Sequence, residues 1–380
     1  TRKESSAASD VYKRQSSKTS PRILISGGGT GGHIYPAIAI ADEIKRRLPD
    51  AAILFVGADG RMEMEKVPKI GYTIKGLPIV GFDRGNLLAN VNFPIKLMKS
   101  LLLAKKIRKE FQPDIAVGTG GYASGPMLWE VGKHKIPYVL QEQNSYPGVT
   151  NKLLMRKASA ICTAYEEIPQ FPKEKTHYTG NPIRVDMFQN LPDREESIRK
   201  FHLDPTKPTV LSVGGSQGSR AINNAWLANI NQLAQSGVQL IWQTGKLDYN
   251  SIKEKLGDGY PMIHLAEFIY DMQDAYAAAD TIVSRAGAMA ISELEMVGKS
   301  VVLIPLPTAA EDHQTKNAQA LVEADAALML SDEQAKTRLV TEVLLLANDK
   351  EKQKRLGENI NKLAKPNATK EIVDIVLGLI

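Results

Sequence analysis

A glycine-rich loop between an apolar strand and an amphipathic helix limits this chain to a small number of folds. The loop reads ISGGGTGGH at residues 25–33, where it continues the apolar run RILIS and precedes the helical pattern PAIAIADEIKRRLP. The next apolar run, AAILFVGA, completes a strand–loop–helix–strand unit. In such a unit the strands are parallel and the helix crosses over in a right-handed sense. We therefore predict an α/β fold built on a parallel sheet.

The same order of elements restarts in the second half of the chain. The segment TVLSVGGSQGSRAINNAWLANINQLA is again strand, glycine loop and helix, and the alternation continues through VQLIWQTG, TIVSRAGAMAISELEMVG and SVVLIPLP. A chain of 380 residues is also too long for one ordinary core. We predict two similar α/β domains with parallel sheets, over 21–181 and 208–355.

Three other segments are assigned from their composition. Residues 182–207 are rich in proline and charge and predict an inter-domain linker. Residues 1–20 have no apolar periodicity, so we expect a disordered or non-native tail. The pattern TRLVTEVLLLANDKEKQKRLGENINKLA predicts one long helix that ends near Pro366, and a last helix follows it. The C-terminal helices within 356–380 could pack back on the N-terminal domain.

Composition excludes several classes of protein. Apolar residues make up 43% and charged residues 24% of the chain, as in soluble globular proteins, and no apolar run approaches the roughly 20 residues that span a bilayer. The single cysteine, Cys162 in ASAICTA, excludes an internal disulfide and predicts a buried thiol in a reducing compartment. The tail carries half of the formal charge of +6, so the rest is only mildly basic and does not indicate a nucleic-acid partner.

Three glycine loops are candidates for binding phosphate. They lie at residues 27–32, 118–125 and 214–219, each between a predicted strand and a helix. Backbone N–H groups at a helix N-terminus favour anions, and glycine lets a ligand approach the main chain. The first loop also fits the dinucleotide pattern G-x-G-x-x-G, with Asp59 as the acidic residue after the next strand. A dinucleotide site and plain helix–sheet packing both stay open as alternatives.

Eight motifs in order give the sequence a family resemblance over residues 21 to about 375. On them the chain resembles the MurG family, the UDP-N-acetylglucosamine:lipid I N-acetylglucosaminyltransferases of bacterial cell-wall synthesis. The resemblance implies a GT-B fold, in which two Rossmann-like domains face a cleft, and an inverting transfer that needs no cofactor. The motifs are GGGTGGHIYPAIAIA, VGTGGYASGP, QEQNSYPGVTNKLL, TGNPIR, GGSQGSRAIN, FIYDMQDAYAAAD, SRAGAMAISEL and DHQTKNA.

The resemblance implies a set of residues for the donor, UDP-GlcNAc. Ser216 would bind the diphosphate, Glu293 the ribose, the backbone of Ile269 the uracil, and Gln314 the sugar. Glu293 could instead be a solvated helix residue, and Arg184 could form an ordinary linker ion pair. The run HQT replaces a more glutamine-rich run of some family members, which weakens the assignment of Gln314. The full implied set is Thr30, Gly31, Gly32, Asn144, Arg184, Ser216, Ile269, Ala288, Met289, Ala290, Ile291, Ser292, Glu293 and Gln314.

His33 is the candidate general base. Of the six histidines it alone lies on a glycine loop, and a neutral imidazole near pH 7 can take the proton of an attacking hydroxyl. It could instead cap the loop or orient the acceptor. The sequence contains no Asp-x-Asp pair, so we expect no metal, and departing UDP would rely on backbone N–H groups, a helix dipole and Arg184.

The resemblance implies lipid I as acceptor, with its diphosphate near Gly120, Gly121 and Ser124. Residues 81–109 would face an anionic membrane surface, peripherally and on the cytoplasmic side. This stretch could equally be an ordinary amphipathic helix packed on its own sheet. Other proteins of cell-wall synthesis or division are further implied partners. The apolar residues are Phe82, Leu87, Leu88, Phe93, Ile95, Leu97 and Met98, and the basic ones are Lys96, Lys99, Lys105, Lys106 and Arg108.

Three other functions compete with this interpretation. A UDP-sugar transferase could use another lipid acceptor. A UDP-GlcNAc 2-epimerase has a similar fold and uses no acceptor, so it would need no membrane-facing surface. A non-catalytic protein that binds a nucleotide sugar would release no UDP and would not depend on His33.

Overall fold

The computed structural model describes residues 20–82, 90–215 and 217–380. The chain divides into two compact units. The first contains the residues up to Glu142, Pro147–Pro182 and Thr369–Ile380, and the second contains Gln143–Tyr146 and Ile183–Ala368. Of the predicted tail, residues 1–19 lie outside the described part of the chain.

The first unit is a parallel sheet covered by helices. Its strands are β1 (Arg22–Gly27), β2 (Ala52–Ala58), β3 (Thr73–Leu77), β4 (Ile115–Gly120), β5 (Tyr138–Glu142), β6 (Ala160–Thr163) and β7 (Thr176–Tyr178). They are ordered 3-2-1-4-5-6-7 and every pair is parallel. The helices are α1 (Gly31–Arg47), α2 (Glu63–Lys69), α3 (Phe93–Phe111), α4 (Ser124–Lys133) and α5 (Val149–Leu154).

The second unit repeats this arrangement with six strands. They are β8 (Thr209–Val213), β9 (Gln239–Gln243), β10 (Ile263–Ala266), β11 (Thr281–Ser284), β12 (Ser300–Leu303) and β13 (Leu328–Met329), in the order 10-9-8-11-12-13. All are parallel. The helices are α6 (Asp186–Gln189), α7 (Arg194–Lys200), α8 (Arg220–Ala228), α9 (Ile230–Gln235), α10 (Tyr249–Leu256), α11 (Met272–Ala278), α12 (Ala288–Val297), α13 (His313–Glu323), α14 (Asp332–Asn348) and α15 (Lys350–Lys362).

The central strands explain why the sequence folds into two such sheets. In β1 the consecutive residues Ile23, Leu24 and Ile25 are all fully buried, so both faces of the strand are covered by helices. The predicted α/β class with two Rossmann-like domains is confirmed. The predicted buried thiol is also confirmed, because Cys162 on β6 is fully buried and burial raises its pKa to about 12.

The predicted long C-terminal helix is wrong, because the chain breaks at Asp349. This residue leaves the helical conformation, and its carboxylate accepts a hydrogen bond from the amide of Lys352 at 2.9 Å, which starts α15. The predicted last helix is confirmed as α16 (Ala368–Leu377). Its side chains Ile372 and Val373 are buried in a core cluster of the first unit.

The segment predicted as a linker contains α6 and α7 and lies in the second unit from Ile183 onward. Its side chains Phe188, Ile198 and Phe201 are buried in a hydrophobic cluster of that unit. Pro192 and most of the charged residues of this segment lie between these apolar residues. Burial of these apolar side chains is favourable, and it is the physical reason why most of the segment forms part of the second unit.

Candidate active site

All three glycine loops leave the sheets at topological switch points. In the first unit β1 lies between β2 and β4, and in the second unit β8 lies between β9 and β11. Connections from the two central strands therefore diverge, which leaves a crevice at their carboxyl ends where doubly wound folds bind ligands. The loop at 27–30 follows β1, the loop at 120–123 follows β4, and the loop at 214–219 follows β8. The fold thus places the predicted phosphate loops where ligands bind.

The two loops of the first unit are in close contact. Gly121 has a φ of 75°, and a Cβ there would lie 2.3 Å from the carbonyl oxygen of Gly28. The Thr119 hydroxyl donates a hydrogen bond to the carbonyl oxygen of His33 at 2.7 Å. The structure therefore brings together His33 and the loop that contains Gly120 and Gly121, as the sequence predicts.

His33 lies in the first turn of α1 with one ring nitrogen held by Thr30. The Thr30 hydroxyl and Nδ1 of His33 are 3.0 Å apart. Thr30 is the N-cap residue, but its side chain forms no capping bond to the helix backbone. In the tautomer whose Nδ1–H donates to Thr30, Nε2 is the basic nitrogen. The arrangement therefore suits proton acceptance at Nε2.

Glu63 supports the first loop and was missed by the sequence analysis. Its buried carboxylate accepts hydrogen bonds through Oε1 from the amides of Gly29 and Ala58, both at 3.0 Å. Ser124 is also buried, and its hydroxyl donates to the carbonyl oxygen of Gly121 at 2.9 Å. In this conformation Ser124 shapes the loop, and its contact with an acceptor diphosphate stays a prediction.

In the second unit a buried glutamine links two parts of the predicted donor site. Gln243, at the end of β9, donates through Nε2 to the carbonyl oxygen of Gly215 at 3.1 Å. Its Oε1 accepts from the amide of Ile269 at 2.9 Å. The glycine loop and the backbone of Ile269 are therefore joined through one side chain, and contact of Ile269 with the uracil stays a prediction. Ser216 lies outside the described residues.

Helix α12 presents its N-terminus at the second switch point. It begins at Ala288 after Gly287, with no acidic residue in its first turn and no side-chain cap. The amides of Ala288, Met289 and Ala290 therefore lie at the positive end of the helix dipole, where a phosphate is stabilised. Ile291 and Ser292 are buried, so Ile291 can contribute only through its backbone.

Glu293, in the second turn of α12, is partly buried and already has a hydrogen-bond donor. The hydroxyl of Tyr276 donates to its Oε2 at 3.0 Å. Burial raises the pKa of Glu293, while the hydrogen bond from Tyr276 lowers it. This environment argues against an ordinary solvated helix residue. It provides a fixed acceptor of the kind that a ribose hydroxyl requires.

Asn144 lies in the second unit, beside the segment that leads into α12. The buried Asn317 on α13 donates from Nδ2 to Oδ1 of Asn144 at 3.3 Å and to the carbonyl of Ala286 at 3.4 Å. Its Oδ1 accepts from the amide of Ser145 at 3.0 Å. The predicted domain at 21–181 includes Asn144, and these contacts explain why residues 143–146 group with the second unit instead. The role of Asn317 was not predicted.

Gln314 and Arg184 differ in how the fold uses them. Oε1 of Gln314 accepts a hydrogen bond from the backbone N–H of Leu306 at 2.9 Å. The side-chain NH₂ group of Gln314 would then be the donor to a sugar hydroxyl. Glu311 and Asp312, just before α13, have φ values of 56° and 53°, an uncommon conformation for such residues. Arg184 is exposed, and both its contact with the donor and the alternative linker ion pair stay predictions.

The described part of the chain contains neither a metal-binding cluster nor a membrane-spanning helix. Residues 20–82, 90–215 and 217–380 contain no group of three or more His, Cys, Asp or Glu side chains that could hold a metal ion. Over the same ranges no helix is long and apolar enough to cross a membrane.

Two doubly wound domains, with glycine loops and open helix N-termini at both switch points, are typical of nucleotide-sugar enzymes with the GT-B fold. The N-terminal domain of glycosyltransferase family 28 matches residues 23–163, and the family's C-terminal domain matches residues 209–372. The chain belongs to glycosyltransferase family 28 and is an enzyme.

Curated relatives and solved structures agree with this family. A protein of Phocaeicola vulgatus is 54% identical over 346 residues, which cover 90% of this chain and 92% of that protein. One of Parabacteroides distasonis is 52% identical over 362 residues, covering 94% and 98%. Both are named UDP-N-acetylglucosamine–N-acetylmuramyl-(pentapeptide) pyrophosphoryl-undecaprenol N-acetylglucosamine transferase. The crystal structure of Acinetobacter baumannii MurG aligns with a TM-score of 0.77 at 26% identity, covering 95% of this chain and all of that one.

Proposed function

We propose that this protein transfers N-acetylglucosamine from UDP-GlcNAc to lipid I, undecaprenyl-diphospho-N-acetylmuramoyl-pentapeptide, and forms lipid II with inversion at the anomeric carbon. The observation that carries the proposal is His33, whose ring lies where two glycine loops of the first unit meet. The names of relatives at about half identity support the donor and the acceptor.

The donor is assigned to the second unit, with its diphosphate at the loop 214–219 and at the N-terminus of α12. Backbone amides there would stabilise the charge that grows on UDP as it leaves. Glu293 would accept from the ribose, Ile269 would meet the uracil, and Gln314 the sugar. From the rest of the donor set, Thr30, Gly31 and Gly32 would contact the donor through the first glycine loop, together with Asn144 and Arg184.

The acceptor hydroxyl is the nucleophile in a single displacement. Its oxygen forms a bond to the anomeric carbon while the bond from that carbon to the UDP oxygen breaks. Nε2 of His33 takes the proton of the hydroxyl, and UDP leaves with the electron pair. The acceptor diphosphate would lie on the loop that contains Gly120, Gly121 and Ser124. No covalent enzyme intermediate is needed for inversion, so one base suffices.

UDP release from UDP-GlcNAc, measured with and without a soluble lipid I analogue in the presence of EDTA, tests the proposal. We expect release that requires the analogue and survives EDTA. Tight binding of UDP-GlcNAc without acceptor-dependent release would contradict the transferase and favour a binding protein. Formation of the 2-epimer without any acceptor would favour the epimerase, and turnover with an undecaprenyl-linked sugar other than lipid I would favour another acceptor.

We further propose that the first unit attaches peripherally to an anionic membrane surface, on the cytoplasmic side, through α3. This helix has two apolar stripes. Ser100, Ala104 and Ile107 are buried, which accounts for packing on its own domain. Ile95, Met98 and Leu102, at spacings of three and four residues on the opposite side, are exposed. Packing within the domain does not explain this second stripe, and a lipid surface would.

Exposed lysines lie on the same helix as the exposed stripe, and an exposed tryptophan lies on the neighbouring helix. Lys99, Lys105 and Lys106 are exposed on α3, and Trp129 is exposed on α4, which packs against α3. Arg108, expected in this surface, instead pairs with the buried Glu130 at 2.9 Å. Leu87 and Leu88 lie outside the described residues. Lysines beside an apolar stripe with a tryptophan suit an anionic leaflet.

Leu102→Glu should weaken binding to vesicles that contain anionic lipid by about 10-fold, because one leucine loses its burial and a negative charge is added. The matched control is Leu345→Glu, since Leu345 also lies on a long helix and is 64% exposed, against 62% for Leu102. Vesicle co-sedimentation of both variants measures the effect. Equal binding by the two variants would refute α3 as the attachment surface.

A further inference from the structure

Tyr276 contacts the proposed ribose-binding residue, and no step of the reaction described above uses it. The tyrosine lies on α11 with its ring buried, and it donates to Oε2 of Glu293 at 3.0 Å. We propose that Tyr276 is a positioning residue that holds the Glu293 carboxylate against the ribose hydroxyls of the donor. This inference rests on the proposed function and extends it to a residue that the donor set does not contain.

The geometry restricts the carboxylate to one orientation. A glutamate side chain has three rotatable bonds, and ordering it on ligand binding costs conformational entropy. Tyr276 fixes one of the two carboxylate oxygens and leaves Oε1 as the acceptor for the ligand. The phenol itself is held on its other side by Phe188, whose ring centroid lies 6.0 Å away in a tilted contact. Phe188 in the core of the unit therefore contacts Tyr276, and Tyr276 in turn holds Glu293.

The same contact favours the charged form that ribose binding needs. Burial raises the pKa of Glu293, and the Tyr276 hydrogen bond opposes that shift. Burial also raises the pKa of Tyr276 well above its usual value, so the phenol keeps its proton and stays a donor. An ionised carboxylate accepts stronger hydrogen bonds than a neutral one.

Calorimetric binding of UDP and of 2′,3′-dideoxy-UDP to the full chain tests the inference. Tyr276→Phe keeps the ring and removes the donor. We expect UDP to bind about 10-fold more weakly, in line with the loss of a hydrogen bond to a charged group. The dideoxy analogue lacks the hydroxyls that Glu293 would contact, so its affinity should not change. The control is Tyr138→Phe, which removes another buried tyrosine hydroxyl that donates to the Leu154 carbonyl of the first unit.

The outcomes separate this inference from the proposed function. An equal loss for both ligands would mean that Tyr276 only stabilises the fold, and would overturn the inference. Failure of the parent protein to bind UDP would instead refute the donor assignment itself. If Tyr276→Phe does not fold, Glu293→Ala is compared with the double variant Glu293→Ala/Tyr276→Phe, which leaves neither partner unpaired. Equal UDP affinity is expected, and a further loss in the double variant would contradict the inference.

Discussion

His33→Ala is expected to lower kcat by about 10²- to 10⁴-fold, the usual contribution of a positioned general base. Affinity for UDP-GlcNAc should change little, because the donor diphosphate, ribose and uracil are assigned to the second unit. The physical reason is that the acceptor hydroxyl must lose its proton as it attacks. Without Nε2 of His33 the proton would have to pass to water. Steady-state UDP release with the lipid I analogue gives kcat, and calorimetry gives donor affinity.

A second substitution at the same position distinguishes the base from a loop cap. His33→Asn can still donate a hydrogen bond to the Thr30 hydroxyl, which lies 3.0 Å from Nδ1 in the parent. Asparagine has no basic nitrogen at the position of Nε2. We therefore expect the asparagine variant to be as slow as the alanine variant. Recovery of most of the parent kcat by asparagine would show that His33 only caps the loop or orients the acceptor.

Four strands at the outer edges of the sheets were not predicted from the sequence. β3 and β7 are the edges of the first sheet, and β10 and β13 are the edges of the second. Their residues are mostly half-buried or exposed, whereas every residue of the inner strand β4 is buried. Continuous apolar runs identify a strand covered on both faces. The edge strands β3, β7 and β10 lie in no such run, so composition alone does not separate them from loops.

A similar limit applies to the active site. The glycine loops and helix starts were predictable, because the spacing of glycines after an apolar strand is local in sequence. The supporting side chains were not. Glu63 holds Gly29 across 34 residues, and Asn317 holds Asn144 across 173 residues. These polar groups are buried with partners that only the folded chain brings near. Of these supporting residues, Gln243 could have been suspected from the sequence, because it is a polar residue at the end of an apolar strand.

Gly218→Ala is expected to abolish measurable UDP binding and to lower the free energy of unfolding by about 3 kcal/mol or more, at the upper end of single substitutions. Gly218 has a φ of 78°, and a Cβ there would lie 1.9 Å from the carbonyl oxygen of Thr244. The contact is reciprocal, because a Cβ on Gly245 would lie 2.2 Å from the carbonyl oxygen of Gln217. Both obstacles are backbone atoms, so the loop that carries the donor diphosphate must move.

The control for Gly218→Ala is a glycine with the same conformation and open space around it. Gly237 has a φ of 75°, and a Cβ there would meet nothing within 4 Å. Gly237→Ala should therefore lower the free energy of unfolding by only about 1–2 kcal/mol, the cost of a left-handed backbone conformation for alanine. Its UDP affinity should stay at the parent value. Chemical denaturation gives both stabilities, and calorimetry on the folded variants gives UDP affinity. If Gly218→Ala binds UDP as Gly237→Ala does, the close approach of the two loops does not shape the donor site, and the diphosphate must bind elsewhere.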